Sequence, residues 1–77
     1  MKNEHEQKYR QIGLKISYYR KLRGLTQEQL AEKIDKAPAF IGHVEAPNVS
    51  KAVSLDTLFD IADVLEVPAH KFLLFDD

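Results

Sequence analysis

The chain has 77 residues, no cysteine and a formal net charge of −1. That leaves room for one domain and excludes a disulfide framework or a thiolate metal site. With 44% apolar residues the chain can build a core, and no apolar run reaches membrane-spanning length. Residues 1–11 are polar and mixed in charge, without the apolar segment of a signal peptide, so a soluble cytoplasmic chain is expected. Charge is unevenly placed. Lys8, Arg10, Lys15, Arg20, Lys21 and Arg23 follow one another with no acid between them, whereas Asp56, Asp60, Asp63, Glu66, Asp76 and Asp77 come late. Two solvated helix faces would explain this, and so would a basic end turned toward phosphates.

Residues 1–8 read as a flexible lead and residues 9–77 as one domain. From Tyr9 onward Ile12, Ile16, Tyr19 and Leu22 fall on one helical stripe, and Gly24 suits the position just past a helix end. Thr26 and Gln29 form a capping box that opens a second helix, with Leu25 and Leu30 placed as a hydrophobic staple. Leu30, Ala31 and Ile34 make its core face, and Asp35, Lys36 and Ala37 break it. Pro38 suits the first position of a short third helix, with Ile41 and Val44 inward. Residues 46–53 form a loop. Ser54 caps a fourth helix with the stripe Leu55, Leu58, Ile61, Ala62 and Leu65, which Val67 and Pro68 stop. A last short helix over about residues 69–74 carries Phe72, Leu73 and Leu74, with Phe75 just beyond. Five helices and no strand are expected.

Two short helices around a tight turn are common, and the pattern alone says little about function. The residues around the turn say more. Residues 20–34, RKLRGLTQEQLAEKI, together with FIGHVE at 40–45 and SLDTL through IADVLEV at 54–67, resemble the lambda-repressor-like helix-turn-helix proteins of the Cro/repressor type. The resemblance runs from Ile12 to about Phe75. It implies an all-α, five-helix domain that binds double-stranded DNA, with the second helix crossing the backbone and the third in the major groove. The function it implies is transcription regulation, by a repressor or a small-operon controller.

The same resemblance assigns site residues. Base contacts fall on Pro38, Ala39, Phe40 and His43. Ala39 or Phe40 could touch a thymine methyl, and His43 could donate to a guanine acceptor. From the residues themselves, Gln27 at the start of the second helix suits a phosphate or only supports the cap. Arg10, Lys15, Lys36 and Lys51 are the cationic candidates for the backbone. Asn48, Ser50 and Lys51 lie in a loop that tracks a phosphate strand in relatives or is simply solvated. An ion pair of Arg20 and Glu45 would fix the third helix to the first. The recognition segment departs from the family pattern. Ala37 stands where Ser or Thr caps the helix in relatives, and Gly42 lies inside it; each costs on the order of 1 kcal/mol. No Arg, Lys, Gln or Asn lies between Ala37 and Ala46. The chain therefore reads DNA with modest specificity through phosphates and shape, or it presents its third helix to a protein, as an interaction module or antitoxin would.

Phe72, Leu73, Leu74 and Phe75 form an apolar run on the last helix, expected to serve a homodimer interface. His5, His43 and His70 have no metal-binding spacing, and three glycines make no phosphate loop. Asp60 and Asp63 share a face that reads as solvated. No enzyme activity, metal or cofactor is expected.

Overall fold

The computed structural model describes residues 5–46 and 52–75. Four α-helices, α1 (Glu6–Leu22), α2 (Gln27–Lys33), α3 (Phe40–Glu45) and α4 (Leu55–Leu65), are followed by a 3-10 helix at Ala69–Leu73. No strand occurs among the described residues. The fifth element, expected as a short helix over about residues 69–74, is a 3-10 helix. Helix α1 starts at Glu6, not Tyr9, so residues 6–8 belong to the domain. That first turn is polar and shows no apolar period. Glu6 favours the positive end of the helix dipole and pairs with Arg10 at 3.4 Å, one turn on.

The helix ends are set by local chemistry. Thr26 and Gln29 make the capping box: the Gln29 N–H donates to Thr26 Oγ1 at 3.0 Å, and the Thr26 N–H donates to Gln29 Oε1 at 2.8 Å. Leu25 packs against the core that holds Leu30, where the staple places it. Ser54 accepts from the Thr57 N–H at 3.1 Å and caps α4. Three helices close with the same double hydrogen bond around a left-handed residue. Gly24 (φ 72°) holds that place after α1, Asp35 (φ 62°) after α2 and Glu66 (φ 59°) after α4. The 6→1 bonds are Leu25 N–H to Arg20 O, Lys36 N–H to Ala31 O and Val67 N–H to Ala62 O.

The core gathers Ile12 and Ile16 from α1, Leu30 and Ala31 from α2, Ile41 and Val44 from α3, and Leu58, Ile61, Ala62 and Leu65 from α4. Phe72 closes it, fully buried and edge-on to Tyr19 at 5.5 Å. Burying such a side chain contributes roughly 1.5–3 kcal/mol. Leu22 and Leu55, expected inside, are exposed. Leu22 lies on the outer face of α1 and Leu55 opens α4 ahead of its buried positions. Gly13, which no apolar stripe singles out, is buried where α1 crosses α3. A Cβ there would strike the Val44 carbonyl oxygen.

Candidate nucleic-acid interface

The segment between α2 and α3 is a compact double turn. Asp35 takes the left-handed conformation, and the Asp35 N–H donates to Glu32 O at 3.0 Å. The chain then turns again over residues 37–40, where the Phe40 N–H donates to Ala37 O at 2.9 Å. Ala39 has φ −83° and ψ −5°, the third position of a type I turn, and Pro38 occupies the second, where its fixed φ is favoured. So Pro38 opens a turn and not the helix. Helix α3 begins two residues later, and its cap is Ala39, not Ala37. Neither alanine can bond an α3 N–H through its side chain. Pro38, Ala39 and His43 are all exposed; Phe40 is half-buried, with Lys36 Nζ 5.4 Å from its ring centroid. The four residues assigned to bases thus run from the turn to the middle of α3, with one cation drawn over the aromatic one.

Behind these residues, one carboxylate ties three helices together. Arg20 Nε donates to Glu45 Oε2 at 2.8 Å and Arg20 Nη2 to Glu45 Oε1 at 3.0 Å. Arg20 Nη1 donates to the Leu25 carbonyl at 2.7 Å, at the entry to α2. Gln27 Nε2 donates to the same Glu45 Oε1 at 2.9 Å. Arg20 and Glu45 are both buried, and no described buried side-chain polar atom lacks a partner. A buried pair is tolerable only when so satisfied. The hydrogen bonds that Arg20 donates to Glu45 raise its guanidinium above its ordinary pKa, against the lowering effect of burial. The Gln27 carboxamide is thereby oriented: its nitrogen faces Glu45, and its oxygen lies 3.3 Å from where a Cβ on Gly42 would sit. A Cβ on Gly42 would press on the amide oxygen, which would have to give by a few tenths of an ångström.

The expected cations divide. Arg10 is half-buried and bonded to Glu6 and Gln7, at 3.4 and 3.1 Å. Lys36 stands over the Phe40 ring. Lys15 does not: with Gln11, Leu14 and Tyr18 it lines a groove on the outer face of α1, away from Gly13 and Arg20, the residues of α1 that meet α3. Asn48, Ser50 and Lys51 lie outside the described residues. Of the apolar run at the end, Phe72 is a core residue and cannot serve an interface. Leu73 and Leu74 are exposed, and Leu73 and Phe75 line an apolar groove with Ile12, Val53, Leu55 and Leu58. Arg23 has a role that sequence spacing does not show. Its Nε donates to Leu65 O at 2.6 Å and its Nη2 to Glu66 O at 3.2 Å, capping the carbonyl end of α4.

The helix-turn-helix family model matches residues 16–72, and the chain belongs to that family, the lambda-repressor-like proteins of the Cro/repressor type. A solved structure described as the master regulator for biofilm formation SinR in complex with DNA is similar at a TM-score of 0.74 and 33% sequence identity, over 82% of this chain and 98% of that one. No curated protein matches the chain.

Proposed function

We infer that this chain is a DNA-binding transcriptional regulator that lays α3 in the major groove. The observation that carries this reading is the exposed Pro38, Ala39 and His43 with half-buried Phe40, on a turn and helix tied to α1 by the buried Arg20 and Glu45 pair. The similarity to a regulator solved on DNA supports it. His43 supplies the one base-edge hydrogen bond, and Ala39 and Phe40 supply apolar contact to thymine methyl groups. Gln27 gives one amide hydrogen to Glu45 and keeps the other for a phosphate. Lys36, over the Phe40 ring, adds positive charge, and Arg10, already paired with Glu6, adds less. With so little base chemistry, phosphate contact and DNA shape supply most of the affinity. The chain acts in the cytoplasm as a repressor or small-operon controller, without catalytic activity or cofactor. It works as a homodimer joined near Leu73 and Leu74, which sets two α3 helices about 34 Å apart on successive grooves.

The test is a titration against the DNA upstream of the chain's own gene and against random duplex, at two salt concentrations. For six to ten phosphate contacts, affinity should fall by about 10³–10⁵ between 50 and 200 mM salt, with preference for the upstream duplex. No binding at low salt refutes the reading. It would favour the alternative that the absence of Arg, Lys, Gln and Asn between Ala37 and Ala46 also supports, a protein-binding α3.

A further inference from the structure

Helix α1 carries a second surface that the DNA reading leaves unused. Leu14, Tyr18 and Leu22 follow at four-residue spacing and are 55%, 59% and 62% exposed. At that spacing they form one contiguous stripe about 12 Å long. Single exposed apolar residues are ordinary; three aligned on one helix face are a patch. Tyr18 is also braced. Its ring meets Tyr19 edge-on at 5.0 Å, and Tyr19 meets buried Phe72. A ring held this way loses less freedom when something packs on it.

The charges around the stripe have one sign. At 100° per residue, Lys15 and Lys8 border one edge of the stripe and Lys21 the other. No acidic residue lies between Glu6 and Glu28. Among the described residues the ion pairs are Arg10 with Glu6 and Arg20 with Glu45, so no acid is paired with Lys15 or Lys21. The stripe also points away from the DNA. Gly13 and Arg20, which face α3, lie roughly 140–160° around α1 from Tyr18.

We propose that this outer face of α1 docks an acidic amphipathic helix of a partner protein, which can occupy it while α3 is on DNA. The partner helix would set apolar residues at three- and four-residue spacing against Leu14, Tyr18 and Leu22, with Asp or Glu on its flanks facing Lys15 and Lys21. A second copy of the chain fits poorly, because two-fold pairing of α1 with α1 would bring lysine to lysine. An anionic bilayer would meet the same Lys15 and Lys21, and the vesicle arm of the test separates it from a partner helix.

The proposal is tested by amide NMR on the full chain, titrated with a synthetic helical peptide of about 18 residues carrying Leu on one face and Glu on both flanks. The expected result is a set of shifts confined to residues 11–22, at least tenfold weaker binding for Tyr18→Glu, and unchanged binding with the protein saturated in duplex DNA. The same peptide with Lys for Glu should bind at least tenfold more weakly. The proposal is overturned by no shift up to about 1 mM peptide, by equal binding of the Lys peptide, or by shifts centred on α3. Competition by DNA, or stronger binding to phosphatidylserine vesicles than to the peptide, overturns it as well. Circular dichroism of Tyr18→Glu, an exposed site, separates lost docking from lost folding.

Discussion

Gly13 of α1 lies so close to Val44 of α3 that the Val44 carbonyl oxygen occupies the space a Cβ would need. The obstacle is backbone, which cannot rotate aside. Gly13→Ala would gain about 1 kcal/mol of helix propensity and lose more to the displacement of α3, since overpacking typically costs about 1–3 kcal/mol. A net loss of stability in urea unfolding is expected, with a larger loss of DNA affinity at fixed temperature. A Gly13→Ala protein of unchanged stability and unchanged DNA affinity would show that α1 and α3 are not locked there.

The pair of Arg20 and Glu45 separates stability from orientation. Arg20→Met alone strands a buried carboxylate and should cost about 3–5 kcal/mol, as should Glu45→Leu alone for the guanidinium. Combining the two should recover most of that loss. DNA affinity should stay low in the double variant, because Gln27 has lost the acceptor that orients its amide. The guanidinium is held above its ordinary pKa, so its stabilising contribution is complete below that value and is lost only as pH climbs through the raised one. Deprotonation of Arg20 therefore removes no stability between about pH 7 and 9.

Arg23 serves the fold and not the DNA. Removing its two hydrogen bonds to carbonyls at the end of α4 in Arg23→Ala should cost about 1–3 kcal/mol. Amide exchange should speed up around Glu66 and Val67 before it does in α2. Equal acceleration in both places would count against a local cap.

Glu66 sits at φ 59°, where a side chain is strained. The left-handed conformation costs roughly 1–2 kcal/mol, partly offset by the entropy glycine brings to the unfolded chain. Glu66→Gly keeps the carbonyl that Arg23 reaches and should stabilise by about 0.5–1 kcal/mol, or roughly 2–8 °C in Tm. A lower Tm would mean that the Glu66 side chain does more than tolerate its place.

His43 and Gln27 should fail differently. His43→Ala should cost about 1–3 kcal/mol on the preferred site and relax preference at one base pair. Gln27→Ala should weaken binding to every duplex alike. Parallel losses for His43→Ala on preferred and random DNA would remove it from base readout.

Where chemistry is local, the sequence spoke clearly. The capping box of Thr26 and Gln29, the Ser54 cap and the left-handed Gly24 each depend on residues a few positions apart, and all three are present. The pair of Arg20 and Glu45 came from resemblance, and the bidentate geometry bears it out. Local patterns failed where two structures share one signal. Pro38 suits a helix start and a type I turn equally, and the turn prevails. Leu22 and Phe72 look alike as apolar residues at helix ends; only packing puts one outside and the other in the core. The reach of Arg23 to Leu65 crosses 42 residues, beyond any spacing rule.

The shortness of α3 limits how much address a single chain can read. Six residues make a helix about 9 Å long, the length of roughly three base-pair steps. Three positions distinguish at most about 64 sequences even with perfect readout, and two of the exposed readers, Pro38 and Ala39, offer no hydrogen bond to a base. The information that picks out one site must then come from arrangement: how far apart two such short words stand, and how easily the DNA between them bends.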